Sequence, residues 1–127
     1  LNRGGAGFVE RFRLKEEEAI ALIHAAGGKA VWAHPKLAWA ENFPALLDRL
    51  TAQGLDGIEA FYPLHTDEEC AYFAQEGRKR GLFLSQGSDA HGAFRPSTFV
   101  GKERRGDEAV APSVQILFTN GQKQLKK

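Results

Sequence analysis

Gly57-Ile58-Glu59-Ala60-Phe61-Tyr62-Pro63 is short, mostly apolar and closed by a proline. It reads as a strand, because branched and aromatic side chains suit a pleated surface and proline cannot donate to the ladder. Its neighbours decide the architecture. On its amino side, Asn42 to Gln53 sets Phe43, Leu46, Leu47 and Leu50 on one helical face and closes at Gly54. On its carboxyl side, Thr66 to Arg80 opens with Thr66 as cap and Glu69 in the capping-box position. That helix turns Cys70, Phe73 and Ala74 inward and ends at Gly81, and Leu82 to Ser85 then reads as the next strand.

The same unit occurs upstream. Lys15 to Ala26 spaces Ala19, Ile20, Leu22, Ile23 and Ala26 as an apolar helical stripe, with Glu16, Glu17 and Glu18 in its first turn and Gly27-Gly28 at its end. Ala30 to Ala33 follows as a short strand closed by His34-Pro35. Helix-then-strand units with short connections define an α/β chain whose parallel strands alternate with helices, either an open doubly wound sheet or part of a barrel.

Composition narrows the function classes. The 127 residues are 43% hydrophobic, enough for a core, and 17 basic against 16 acidic residues leave a net charge of +1. No strong bulk attraction to nucleic acid or anionic membrane is expected, although a local phosphate site is compatible with that balance. No apolar run approaches the roughly 20 residues of a membrane span. The single cysteine, Cys70, excludes an internal disulfide framework and points to a cytoplasmic setting.

The ends are less regular. Leu1 to Arg13 is glycine-rich and then alternates Phe8, Val9 and Phe12 with charged residues, as an extended arm would. There is no methionine, and a fragment of a longer protein is expected. Beyond Gly92, Phe94-Arg95-Pro96 and Lys102 to Asp107 read as loop, Val114 to Phe118 as one more strand turned by Asn120-Gly121, and Lys123 to Lys127 as a solvated tail.

Three of the four histidines fall just beyond the carboxyl ends of the strands: His34 after the first, His65 after the second, and His91, with Asp89, after the third. Parallel α/β folds keep their active sites on that edge. In an extended segment Asp89 and His91 point the same way and can aim at one ion, while Gly87 and Gly92 let the backbone turn on either side. Each residue also has a plainer explanation: Asp89 as a turn cap, His91 as exposed, His34 as a hydrogen-bonded turn residue, His65 as a helix-start residue. Their convergence on one rim favours a hydrolytic metal site. Glu59 is a ligand, a partner supporting an imidazole, or the solvent side of its strand. His24 lies on a helix away from the rim, and Trp32 and Trp39 suit packing better than base stacking.

Taken in order, Ala33-His34-Pro35, Gly54-Leu55-Asp56-Gly57-Ile58-Glu59-Ala60-Phe61-Tyr62-Pro63-x-His65 and Gly87-Ser88-Asp89-x-His91-Gly92 resemble the carboxyl-terminal half of a PHP-domain (polymerase and histidinol phosphatase) metal-dependent phosphoesterase of the bacterial nucleotide-phosphatase type. The match runs over residues 1–101, with 102–127 a divergent tail. The resemblance implies part of a distorted (β/α)7 barrel whose rim holds divalent Mn, Fe or Zn ions and hydrolyses phosphomonoesters of nucleotides or short oligonucleotides. It matches His34, Asp89 and His91 to metal ligands, His65 to a catalytic residue contacting phosphate, and Glu59 to a recurrent residue supporting the site. The amino-terminal His-x-His and bridging Glu motifs of the family are absent from this stretch, so an incomplete site and self-association through uncovered strand edges are expected. The alternatives are a non-catalytic α/β interaction module binding one ion or none, and an amidohydrolase-like metal hydrolase.

Overall fold

Each strand is delivered by a helix whose ends are written in the sequence. A computed structural model describes residues 5–7, 9, 11–38, 41–97, 99, 106, 109 and 110. The expected arm is covered only in part, and Trp39, the loop at 102–105, the strand at 114–118 and the basic tail lie outside the described residues. The elements run α1 (Glu16–Ala25), β1 (Val31–Trp32), a 3-10 turn (Pro35–Leu37), α2 (Phe43–Ala52), β2 (Gly57–Phe61), α3 (Asp67–Lys79), β3 (Phe83–Gln86) and a second 3-10 turn (Gly92–Phe94). The Asn42 side chain caps α2 by accepting from the Ala45 N–H at 3.1 Å. Thr66 and Glu69 form the expected capping box on α3, at 3.1 and 2.8 Å.

The strands are parallel and ordered β1-β2-β3. Val31 and Trp32 lie beside Gly57 and Ile58; Gly57, Ile58 and Glu59 lie beside Phe83, Leu84 and Ser85, after which the register shifts so that Phe61 meets Gln86. This confirms the α/β class with parallel strands alternating with helices. Among the described residues no helix is long and apolar enough to cross a membrane.

Ile58, Ala60 and Leu84 face the helices in a core shared with Ile20, Ala30, Leu47, Leu50, Phe73 and Ala74. Trp32 stacks on Phe43 with ring centroids 5.3 Å apart, and Phe43 meets Phe73 edge-on at 5.1 Å, so one aromatic ring joins β1, α2 and α3. Polar ties fix the same elements. Arg80 donates to Asp48 at 2.6 Å and to Glu76 at 2.8 Å, linking α3 to α2. Hydrogen bonds from Lys79 and Arg80 hold the buried Glu76 carboxyl below its ordinary range. Asp56 accepts from the Ala30 N–H at 2.7 Å and lies 2.7 Å from Nε2 of His24, anchoring the end of α1 to the start of β1.

Two features depart from simple pattern reading. The α1 stripe is buried only at Ile20; Leu22 and Ile23 remain 57% and 39% exposed. Helical periodicity fixes which residues share a face, but not whether another element covers it. Second, the end of the expected loop returns to the sheet: the Gly106 N–H donates to Gln86 at 2.8 Å, and beyond it Ala109 and Val110 pack against the core.

Close approach of α3 to the sheet depends on Gly77. A Cβ there would lie 2.8 Å from Cγ2 of Ile58 and 2.9 Å from Cδ2 of Leu84. Overpacking a tight core costs about 1–3 kcal/mol, more than the few tenths by which valine exceeds glycine as a helix former. Gly77→Val is therefore expected to lower the free energy of urea unfolding by about 1–3 kcal/mol. Unchanged stability would show that the helix has slack against the sheet.

Candidate functional site

One carboxylate lies among the carboxyl ends of the strands. Glu59 stands on the face of β2 opposite the helix-packed Ile58 and Ala60, and its Oε2 accepts from the backbone N–H of His34 at 2.6 Å. Its Oε1 lies against the chain leaving β3, where a Cβ at Gly87 would come within 2.6 Å of it. A side chain at position 87 would press on the movable end of Glu59, so glycine there leaves the carboxylate room. The Glu59 carboxylate thus holds the end of β1 and lies against the chain leaving β3.

The backbone at those ends is unusual. His34 has φ 33° and ψ 61°, and Asp89 has φ 54°. They are the two non-glycine residues with positive φ among the described residues. Left-handed backbone at a residue with a Cβ costs on the order of 1 kcal/mol or more, even though His and Asp tolerate it better than most, and such strain concentrates at functional positions. For His34 the cost is offset by the bond to Glu59 and by Pro35, buried at the start of the following turn.

Asp89 collects three contacts. The phenol of buried Tyr62 donates to its Oδ2 at 3.1 Å, Nη1 of Arg95 lies 3.2 Å from the same oxygen, and Nδ1 of His91 lies 3.8 Å from Oδ1. Burial, and then the hydrogen bond to Asp89, raise the Tyr62 pKa, so the phenol stays a donor. The Tyr62 and His34 rings are 5.6 Å apart between centroids, placing tyrosine between the ends of β1 and β3. Nδ1 of His91 lies 2.6 Å from the Asp89 carbonyl oxygen. Donation there leaves Nε2 with its lone pair exposed, the arrangement common in metal-ligating histidines.

The structure therefore joins Asp89 to His91 directly, and to His34 through Tyr62. It does not gather a complete metal cage: among the described residues no three His, Cys, Asp or Glu side chains stand close enough to hold an ion. Imidazole and carboxylate donors are still the set suited to Zn, Mn or Fe.

His65, expected at the rim as a phosphate contact, is 1% exposed. Its Nδ1 lies 2.8 Å from the Ala60 carbonyl oxygen, and its ring packs 4.7 Å from Phe73 and 5.2 Å from Tyr62. In the turn after Pro63 the His65 backbone N–H donates to the Tyr62 carbonyl at 3.0 Å, and the ring is buried between Tyr62 and Phe73, so it presents no nitrogen to solvent. His24 lies away from the rim, exposed on α1. Sequence reasoning assigned no site role to Tyr62 or Arg95. Tyr62 could have been found from its alternation with Ile58 and Ala60, which puts a hydroxyl at the end of a buried face; Arg95 had no comparable signal.

Burial lowers the His65 pKa, with the hydrogen bond that the ring donates to the Ala60 carbonyl and the charges of Glu69 and Glu59 opposing it more weakly. The unfolded chain then binds more protons than the folded one, so this contribution to stability is full above the unfolded value of about 6.5 and is lost as pH falls through it. The urea midpoint should drop between about pH 7 and pH 5 more steeply for the parent chain than for His65→Phe. Parallel profiles would show that His65 charges without cost.

No protein-family model matches the chain. Individual proteins do. It is 35% identical over 95 residues to the 3',5'-nucleoside bisphosphate phosphatase of Chromobacterium violaceum, covering 72% of this chain and 33% of that protein. It is 37% identical over 84 residues to the phosphoribosyl 1,2-cyclic phosphate 1,2-diphosphodiesterase of Eggerthella lenta, covering 66% and 31%. It is 33% identical over 96 residues to the 5'-3' exoribonuclease Rnm of Escherichia coli, covering 72% and 32%. The chain spans about a third of the length of these curated relatives. Among solved structures, an amidohydrolase from Chromobacterium violaceum with bound sulfate and no metal superimposes with a TM-score of 0.65 at 30% identity, over 82% of this chain and 36% of that one. A candidate metal-dependent phosphoesterase from Bifidobacterium adolescentis gives 0.68 at 24% identity, over 91% and 41%, a likeness of fold. Over the stretch it shares with them, the chain is a relative of the phosphatases and phosphodiesterases that its motifs resemble.

Proposed function

We propose that this chain carries part of the catalytic rim of a PHP-type metal-dependent phosphoesterase, with His34, Asp89 and His91 as metal ligands. One observation carries the assignment: positive φ at a non-glycine residue occurs, among the described residues, at His34 and Asp89, both singled out by motif. The nucleoside bisphosphate phosphatase and exoribonuclease relatives support nucleotides or short oligonucleotides as the substrate class.

A divalent ion bound there would polarise a phosphoryl oxygen and lower the pKa of a bound water toward neutrality. The chain's own residues prepare for this. Glu59 holds the His34 backbone; Tyr62 orients the Asp89 carboxylate by donating to Oδ2; the Asp89 carbonyl fixes the His91 tautomer so that Nε2 is the ligating atom. His65 then acts by supporting Tyr62. The described donors are fewer than a multinuclear centre needs, so full activity is assigned to a longer protein of the relatives' size.

An amidohydrolase-like hydrolase is a second reading, favoured by the Chromobacterium violaceum amidohydrolase structure at 30% identity. A non-catalytic module is the third. The exposed Leu22, Ile23 and edge residue Val31 would serve self-association under any of them, and a cytoplasmic setting is proposed with the same reading.

In a zinc competition titration the chain is expected to bind Zn²⁺ weakly. Asp89→Ala should weaken that binding by tenfold or more, on the order of the loss from disabling a ligand or its support, while His24→Ala should leave it within about twofold. No binding, or binding insensitive to Asp89→Ala, would remove the metal-rim proposal. Phosphate release from a nucleoside bisphosphate by the longer protein, abolished by Asp89→Ala, would separate phosphoesterase from amidohydrolase.

A further inference from the structure

Phe94 is 97% exposed and lies one residue from Arg95, whose guanidinium touches the rim carboxylate. Single exposed apolar residues are ordinary on protein surfaces, and Phe12 is 88% exposed as well. What distinguishes Phe94 is its position. It closes the short 3-10 turn Gly92–Phe94 that starts directly after His91, and the Arg95 N–H donates back to the Gly92 carbonyl at 3.3 Å. Gly92, at φ +60°, makes the reversal that a side chain would strain. An unburied ring and a guanidinium are thus carried together on a turn fixed to the proposed ligands.

The chemistry of the two side chains is complementary. Arginine's planar fork matches two phosphate oxygens, and Nη1 lies 3.2 Å from Oδ2 of Asp89, the carboxylate proposed as a metal ligand. A solvated aromatic face stacks on a nucleobase without regard to sequence. Nothing in the charge balance supplies a second, bulk source of nucleotide affinity.

We propose that Phe94 and Arg95 form the nucleoside-phosphate recognition element of this rim, Arg95 taking the phosphate and Phe94 stacking on the base. This deepens the phosphoesterase proposal and rests on it for the location of the phosphate. It makes the base, as well as the phosphate, a determinant of affinity.

The test compares AMP with ribose 5-phosphate, which has the phosphate and sugar but no base, by calorimetric or NMR titration of the chain with Zn²⁺ present. Phe94→Ala is expected to weaken AMP binding by about five- to tenfold, the low end of base stacking on an aromatic ring, and to leave ribose 5-phosphate binding unchanged. Phe94→Trp should retain AMP affinity, and Arg95→Ala should weaken both ligands. Unchanged AMP affinity in Phe94→Ala, equal losses for both ligands, or no AMP binding by the parent chain would overturn the inference. Zinc binding is measured on the same samples. If it is intact and Asp89-dependent while the base effect is missing, recognition by Phe94 alone fails; if zinc does not bind but the base effect is present, the metal rim fails and the nucleotide element stands.

Discussion

A single carboxylate in the middle of a parallel sheet sets the geometry on which the rest of the rim depends. Glu59 belongs to β2, yet its oxygens serve the strands on either side: one takes the His34 N–H after β1, the other lies against Gly87 after β3. A carboxylate in a partly buried position is costly unless its oxygens are used, and here a charge-assisted bond to a backbone donor uses one of them. Without it, His34 would have a left-handed backbone and an unmatched N–H together. Strand order and register bring the three ends side by side, and Glu59 determines what they do there.

Strain and support are distributed around that bond. Asp89, the other left-handed residue, is held by the Tyr62 hydroxyl and by the Arg95 contact, and Tyr62 rests on His65, which rests on Phe73. The line from the α3 core to the Asp89 carboxylate is continuous. A core that packs α3 closely, as at Gly77, therefore also fixes the height of the rim. Chemistry proposed for the surface is anchored through aromatic rings to the helix layer beneath.

Much of this was legible in the sequence. The helices and strands follow from caps, glycine stops and proline closures, and the observed Thr66 to Glu69 capping box is what the spacing calls for. His34, Asp89 and His91 fall beyond strand ends because Pro35 and Gly87 end the ladders there. What the sequence could not give depends on the third dimension. Pattern alone cannot say that His34 and Asp89 share a backbone conformation, that the turn after Pro63 buries His65 between Tyr62 and Phe73, or that the apolar face of α1 is left partly bare. Glu59 lay between three roles, and the bond observed is a further one that no pattern marks: its Oε2 accepts from the backbone N–H of His34 rather than from an imidazole. Gly106 reads as loop, yet a Cβ there would strike the Phe61 ring, so the chain returns to the sheet at a place no periodicity marks.

The most direct test is the zinc affinity of Glu59→Gln and Glu59→Ala beside the parent chain, with circular dichroism to confirm the fold. If Glu59 acts by accepting the His34 N–H, the amide oxygen of glutamine replaces it and affinity stays within about threefold, whereas alanine loses about ten- to hundredfold, as when the support of a metal ligand is removed. Parent-like affinity in a folded Glu59→Ala chain would contradict the claim that this carboxylate builds the rim, and an equal loss in both variants would show that its charge matters rather than its bond to His34.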